Sequence, residues 1–265
     1  MDEKPAQKID PSFKIVMDQK ARLKEKLSSI KNKIGVYSAK GGVGKTTVAV
    51  NLAYVLKNKG YRVGLLDADI DCPNISIFLG IENTKIKPIA PLVPVDKDGI
   101  KVISTAMLTD DEEKPIIWRG PLITKMLGEM LEYTDFGELD YLIIDLPPGT
   151  SDAPLSIMQL LDMNGFIIVT TPQKVSYINS LRSGLMAKKL NSNVLGIIEN
   201  MSESGRSKYT EQLAQALNSE VIGNISRSPL FNEYSDNGKI PVIENKDIYN
   251  EFENIANSII ESLKV

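Results

Sequence analysis

Apolar positions fall into two alternating patterns along the chain. Short continuous runs read as buried strands: Lys33 to Ser38, Arg62 to Asp67, Ile100 to Ser104, Tyr141 to Asp145, Phe166 to Thr170, Val194 to Glu199 and Val221 to Ile225. Between them apolar residues recur at three- and four-residue spacing, as in Val48, Leu52, Val55 and Leu56. That spacing predicts helices over Thr46 to Lys59, Pro121 to Tyr133, Ser176 to Leu190, Thr210 to Asn218 and Ile248 to Leu263. Strands alternating with helices predict an α/β fold, a doubly wound, mostly parallel sheet with helices on both faces. Residues 82–99 are rich in Pro and Lys and read as a surface excursion. Nothing divides residues 33–265 into two cores, so they read as one domain.

Residues 1–32 differ. From Lys8 to Lys33 there are eight basic and three acidic residues, with apolar positions at Phe13, Val16, Leu23, Leu27 and Ile30. This pattern predicts a basic amphipathic helical extension, docked on the domain rather than on a membrane.

Composition narrows the class. The 265 residues are 42% hydrophobic and 25% charged, enough for one large domain. A net charge of −3 supplies no positive field that would draw the chain to nucleic acid. No apolar run is long enough to cross a bilayer, and Met1 to Asp10 is too polar for a signal peptide. One cysteine and no histidine exclude an internal disulfide and favour a cytoplasmic setting. Without histidine, any general base must be a carboxylate or a water that one positions.

Chemistry concentrates after the first strand, in Ala39-Lys-Gly-Gly-Val-Gly-Lys-Thr-Thr47. This is the phosphate-loop spacing, with Ala39 where the plain motif carries its first glycine. Gly41, Gly42 and Gly44 let the backbone curl so that N–H groups, including those around Val43 and Thr47, face phosphate oxygens. Lys45 reaches the β- and γ-phosphates, and Thr46 ligates Mg²⁺. A second lysine, Lys40, precedes the glycines. Three acids close strands: Asp67 and Asp69 after the second, Asp145 after the fourth. In open parallel sheets the ligand crevice lies beyond such ends. Asp145 and Asp67 read as magnesium-holding groups acting through water, and Asp69 as the group that orients the attacking water. Gly149, in the Leu146-Pro-Pro-Gly149 turn, offers an N–H that can sense the γ-phosphate.

These motifs together resemble the Mrp/ApbC family of iron–sulfur cluster carrier ATPases, relatives of MinD, ParA and nitrogenase iron protein. The resemblance rests on Asp67-Ala-Asp-Ile70, Trp118-Arg-Gly-Pro121, Asp145-Leu-Pro-Pro-Gly-Thr150, Thr170-Thr-Pro-Gln173 and Glu199-Asn-Met-Ser202, in family order. It implies an ATP-binding homodimer with Lys40 reaching the partner's phosphates, Asn200 on the adenine base and an iron–sulfur protein as client. Carrier members place a Cys-x-x-Cys pair just after the Glu199 block. Here Glu203 to Tyr209 holds none, and Ser204 and Ser207 are poor substitutes at iron. Cys72, the sole thiol, reads as a small buried side chain or as a cluster ligand. The alternative is a MinD- or ParA-like switch that positions a protein partner. MinD-like proteins end in a basic membrane helix, whereas Asp247 to Val265 carries four acids and one lysine.

Overall fold

The computed structural model describes residues 11–108, 120–150, 152–190, 192–203 and 205–264. Met1 to Asp10, Trp118, Arg119 and Ser204 lie outside them, as do the side chains of Phe13 and Val16. The strands are β1 (Ile30–Tyr37), β2 (Val63–Asp67), β3 (Val95–Lys97), β4 (Ile100–Ser104), β5 (Leu139–Asp145), β6 (Gly165–Thr170), β7 (Val194–Ser202) and β8 (Val221–Ser226). They form one sheet in the order β3-β4-β2-β5-β1-β6-β7-β8. Every pairing is parallel except β3 with β4. Strands β2 and β6 are buried along their whole length, as a sheet covered on both faces requires.

The helices are α1 (Pro11–Lys26), α2 (Lys45–Asn58), α3 (Ile75–Phe78), α4 (Gly120–Tyr133), α5 (Asp152–Leu160), α6 (Lys174–Lys189), α7 (Lys208–Ala216), α8 (Leu230–Asp236), α9 (Pro241–Glu244) and α10 (Lys246–Ser262). Right-handed crossovers fix their faces. The step from β1 to β2 crosses the sheet in one direction, and the steps from β4 to β5 and on to β8 run in the other. That reversal puts α2 on one face and α4 to α7 on the opposite face. Helix α10 returns to the α2 face, where it packs on α2 and β8. Its apolar stripe of Ile248, Phe252, Ile255 and Ile259 is buried there. Helix α1 packs on α4, with Leu23 and Leu27 inside the main core.

Several elements depart from the periodicity. Residues 82–99 are not simply a surface excursion: Ile86 and Leu92 are buried, and Val95–Lys97 adds an antiparallel edge strand. A two-residue turn at Asp98 and Gly99, both at positive φ, returns the chain to β4. Strand β1 begins at Ile30, three residues before the predicted run, and β7 continues to Ser202. Helices α3, α8 and α9 lie outside the predicted set because each is too short to show a repeated apolar period, and α5 lies outside it because Pro154 interrupts its start.

Asn51 ties the phosphate-loop helix to the C-terminal elements. It is fully buried, donates to the Thr47 carbonyl at 2.8 Å and accepts the Val242 N–H at 3.0 Å. Asn51→Ala leaves that N–H without a partner in the core. The unfolding free energy should fall by about 2 kcal/mol, read from a urea titration with unchanged slope. An unchanged midpoint would contradict the tie.

Candidate functional site

Strands β1 and β5 are neighbours, with Val36 opposite Asp145. The chain leaves β1 toward the α2 face and leaves β5 toward the opposite face. Loops that part in this way open a crevice at the carboxyl end of the sheet. Residues 38–44 curl into it. Gly42 and Gly44 sit at φ of +76° and +86°, a region that only glycine enters freely. Gly44 also starts α2, and a Cβ there would lie 2.1 Å from the Asn200 amide nitrogen. The Ser38 hydroxyl donates to the Lys40 carbonyl at 3.0 Å.

Both carboxylate oxygens of Asp145 are engaged. The Lys45 ammonium lies 2.5 Å from Oδ1, and the Thr46 hydroxyl donates to Oδ2 at 2.6 Å. Lys45 is buried, with Asp69 as its second partner at 3.9 Å. The sheet register sets Asp67 directly beside Asp145. Asp67 is fully buried and accepts three protein donors: the Asp69 N–H, the Ile75 N–H and the Ser104 hydroxyl. Burial, reinforced by the neighbouring Asp145 charge, raises its pKa well above the usual carboxylate range. Burial likewise pushes Asp69 up to about 6, with Lys45 opposing the shift and Asp145 adding to it. The predicted Lys45, Thr46, Asp67, Asp69 and Asp145 therefore converge in one place.

The remaining predicted residues are arranged around that centre. Lys40 is exposed, and among the described residues its ammonium meets no carboxylate. Gly149 has φ of +96°, and its N–H is taken up by the Ser38 carbonyl at 3.0 Å, where the loop begins. Asn200 is buried and donates to the Val43 carbonyl at 2.8 Å, bracing the phosphate loop. Cys72 is exposed, which overturns its reading as a core side chain. Its N–H donates to Asp69 Oδ1 at 3.3 Å, in the turn that follows β2.

Glu199 is a site residue that the sequence reading passed over. Its carboxylate is fully buried and accepts the Ser207 N–H at 3.0 Å and the Thr210 hydroxyl. The carboxylate thus fixes the turn that leads into α7 at Ser207. Only its place in the Glu199-Asn-Met-Ser202 block hinted at such a role. A cleft of about 530 Å³ opens along this turn, lined by Pro172, Gln173, Met201, Arg206 and Arg227 among others.

A glycine loop at a switch point, leading into a helix beside a lysine and strand-end acids, defines a P-loop nucleotide-binding protein. A family model described as ParA, the NUBPL iron-transfer P-loop NTPase, matches residues 29–262, and the chain belongs to that family. The iron–sulfur cluster carrier protein of Methanocaldococcus jannaschii is 43% identical over 95% of this chain and 91% of its own length. That of Methanococcus maripaludis is 37% identical over 95% and 92%. Among solved structures, the nucleotide-binding protein from Archaeoglobus fulgidus in complex with ADP superposes with a TM-score of 0.73. It is 36% identical, over 83% of this chain and 92% of that one. The MinC:MinD cell division complex of Aquifex aeolicus, 22% identical at a TM-score of 0.69 over 87% and 96%, shares the fold.

Glu199→Ala should free the turn, because Ser207 and Thr210 lose their buried acceptor. Native-state trypsin cleavage after Arg206 should accelerate about tenfold or more, equivalent to a loss of at least 1.4 kcal/mol in local stability. Glu199→Gln should recover part of the protection. Cleavage at the wild-type rate in Glu199→Ala would remove this role.

Proposed function

We propose that this chain is a homodimeric ATPase that serves iron–sulfur cluster assembly or transfer to apoproteins. The observation that carries the nucleotide part is the paired engagement of Lys45 and Thr46 by Asp145 at the phosphate loop. Lys45 exchanges its carboxylates for β- and γ-phosphate oxygens when the nucleotide enters. Asp69, pushed up by burial to about 6, is mostly ionised at neutral pH, and it orients the water that attacks the γ-phosphorus. Gly149 gives up the Ser38 carbonyl and turns its N–H to the γ-phosphate. Asn200 serves the adenine base.

The donor set suits Mg²⁺. Its members are all oxygen, and no three acidic or thiol side chains among the described residues converge to hold a metal alone. That is the pattern of an ion held by one hydroxyl, phosphate oxygens and water. Thr46 would be its direct protein ligand, with Asp145 and Asp67 acting through water. When bound, Mg²⁺ neutralises charge on the phosphate oxygens.

Lys40 is exposed beside the loop and, among the described residues, meets no carboxylate, which leaves it available to a second copy. Val175, Ile178 and Met201, at the start of α6 and the end of β7, are apolar and exposed, as a face that meets another protein would be. A MinD-like role at a membrane fits less well, because the apolar stripe of α10 is already buried on its own domain. Nor is any described helix long and apolar enough to cross a membrane.

Mixing Lys40→Ala with Asp69→Asn tests the dimer. Each variant alone should be inactive, and the mixture should regain up to about a quarter of wild-type phosphate release, since random pairing makes half the dimers mixed and each then has one complete site. No recovery in a mixture shown to contain mixed dimers would sink trans action. For the cargo, one exposed thiol per chain falls short of the four that a cluster usually takes. Strictly anaerobic reconstitution should leave no [4Fe–4S] cluster that survives desalting, in wild type or in Cys72→Ser. A stable, near-stoichiometric cluster that persists in Cys72→Ser would refute the ligand argument.

A further inference from the structure

Tyr37 ends β1 and is fully buried, yet the chemistry above gives it no task. Its hydroxyl donates to the Gly149 carbonyl at 2.5 Å. The Gly149 N–H in turn donates to the Ser38 carbonyl at 3.0 Å. Both backbone groups of one glycine are thus held by two consecutive residues at the end of β1. Little else holds that glycine: a Cβ built on it would meet nothing within 4 Å. Burial pushes the Tyr37 hydroxyl up to about 12, so it remains a proton donor at neutral pH.

A second partner waits beside the same oxygen. Ser183, on α6, is fully buried beside the Tyr37 hydroxyl, and its own oxygen has no hydrogen-bond partner among the described residues. Buried hydroxyls without partners are uncommon and cost free energy. An unfilled acceptor next to a filled donor gives the donor somewhere to go. The tyrosine can release Gly149 without leaving its own O–H unsatisfied.

We infer that Tyr37 is a positioning residue that latches the Pro147-Pro148-Gly149 turn away from the nucleotide and releases it by passing its hydroxyl to Ser183. The inference rests on the reading of Gly149 as the group that meets the γ-phosphate. Only a nucleotide carrying that phosphate has to open the latch. ADP binds with the turn left in place. The handover also connects the turn to α6, whose outer side carries the exposed Val175, Ile178 and Leu185. The state of the γ-phosphate is thereby passed to a surface that another protein can touch.

The test compares a non-hydrolysable ATP analogue with ADP, each with Mg²⁺, by calorimetry. Tyr37→Phe keeps the ring and removes the latch, so the analogue should bind about fivefold tighter, the worth of one net hydrogen bond. ADP affinity should stay at the wild-type value. Ser183→Ala removes the second acceptor, so the analogue should bind about fivefold more weakly, again with ADP unchanged. Opposite and γ-phosphate-selective shifts are not what loss of packing would produce. Equal shifts for both nucleotides, or no shift in either variant, would overturn the latch. A wild-type chain that binds neither nucleotide would instead overturn the nucleotide reading on which it stands.

Discussion

A buried ammonium holds this site together. Lys45 is buried between Asp145 at 2.5 Å and Asp69 at 3.9 Å. Removing a charge from water costs several kcal/mol, and only close, well-directed partners offset it. The fold supplies those partners by register: β2 and β5 lie side by side, so Asp67 and Asp145 end together where α2 begins. Two carboxylates then hold one ammonium, and a third, Asp67, lies next to Asp145. Burial, reinforced by the neighbouring carboxylate charges, is what lifts the Asp67 and Asp69 pKa values. The acids gathered there outnumber their ammonium, an imbalance that the proposed magnesium–nucleotide complex would correct.

The order of the elements was legible in the sequence because both signals behind it are local. Apolar runs and helical spacing need only neighbouring residues, and the phosphate loop is contiguous. The acids at strand ends followed from the same runs. Longer-range features were hidden. Tyr37 meets Gly149 from 112 residues away, and nothing in its own neighbourhood marks it as polar-bonded. Glu199 gave no sign that its carboxylate would be buried over the turn that follows it. Cys72 reads as apolar by type, but it lies in the turn between Asp69 and Asn74, where the backbone hydrogen-bonds to side chains and no strand or helix carries the thiol inward.

Some misses had readable causes. Helix α5 carries Pro154 two residues inside its start. A proline usually signals a loop, but the first helical turn tolerates it because the missing N–H there has no partner to lose. The Asp98-Gly99 pair, between Val95-Asp-Lys97 and Ile100, is a strong hairpin signal that the surrounding prolines and lysines obscured.

That hairpin limits association through one border of the sheet. The sheet ends on that side in a strand of three residues carrying Asp96 and Lys97, folded back by a turn in which both residues are left-handed. An edge so short and charged gives a foreign strand few free N–H and C=O groups to pair with. The sheet cannot readily be continued from one molecule into the next through this border. Any lasting contact there must be made by side chains, whose fit is selective, rather than by backbone, which would accept almost any extended chain.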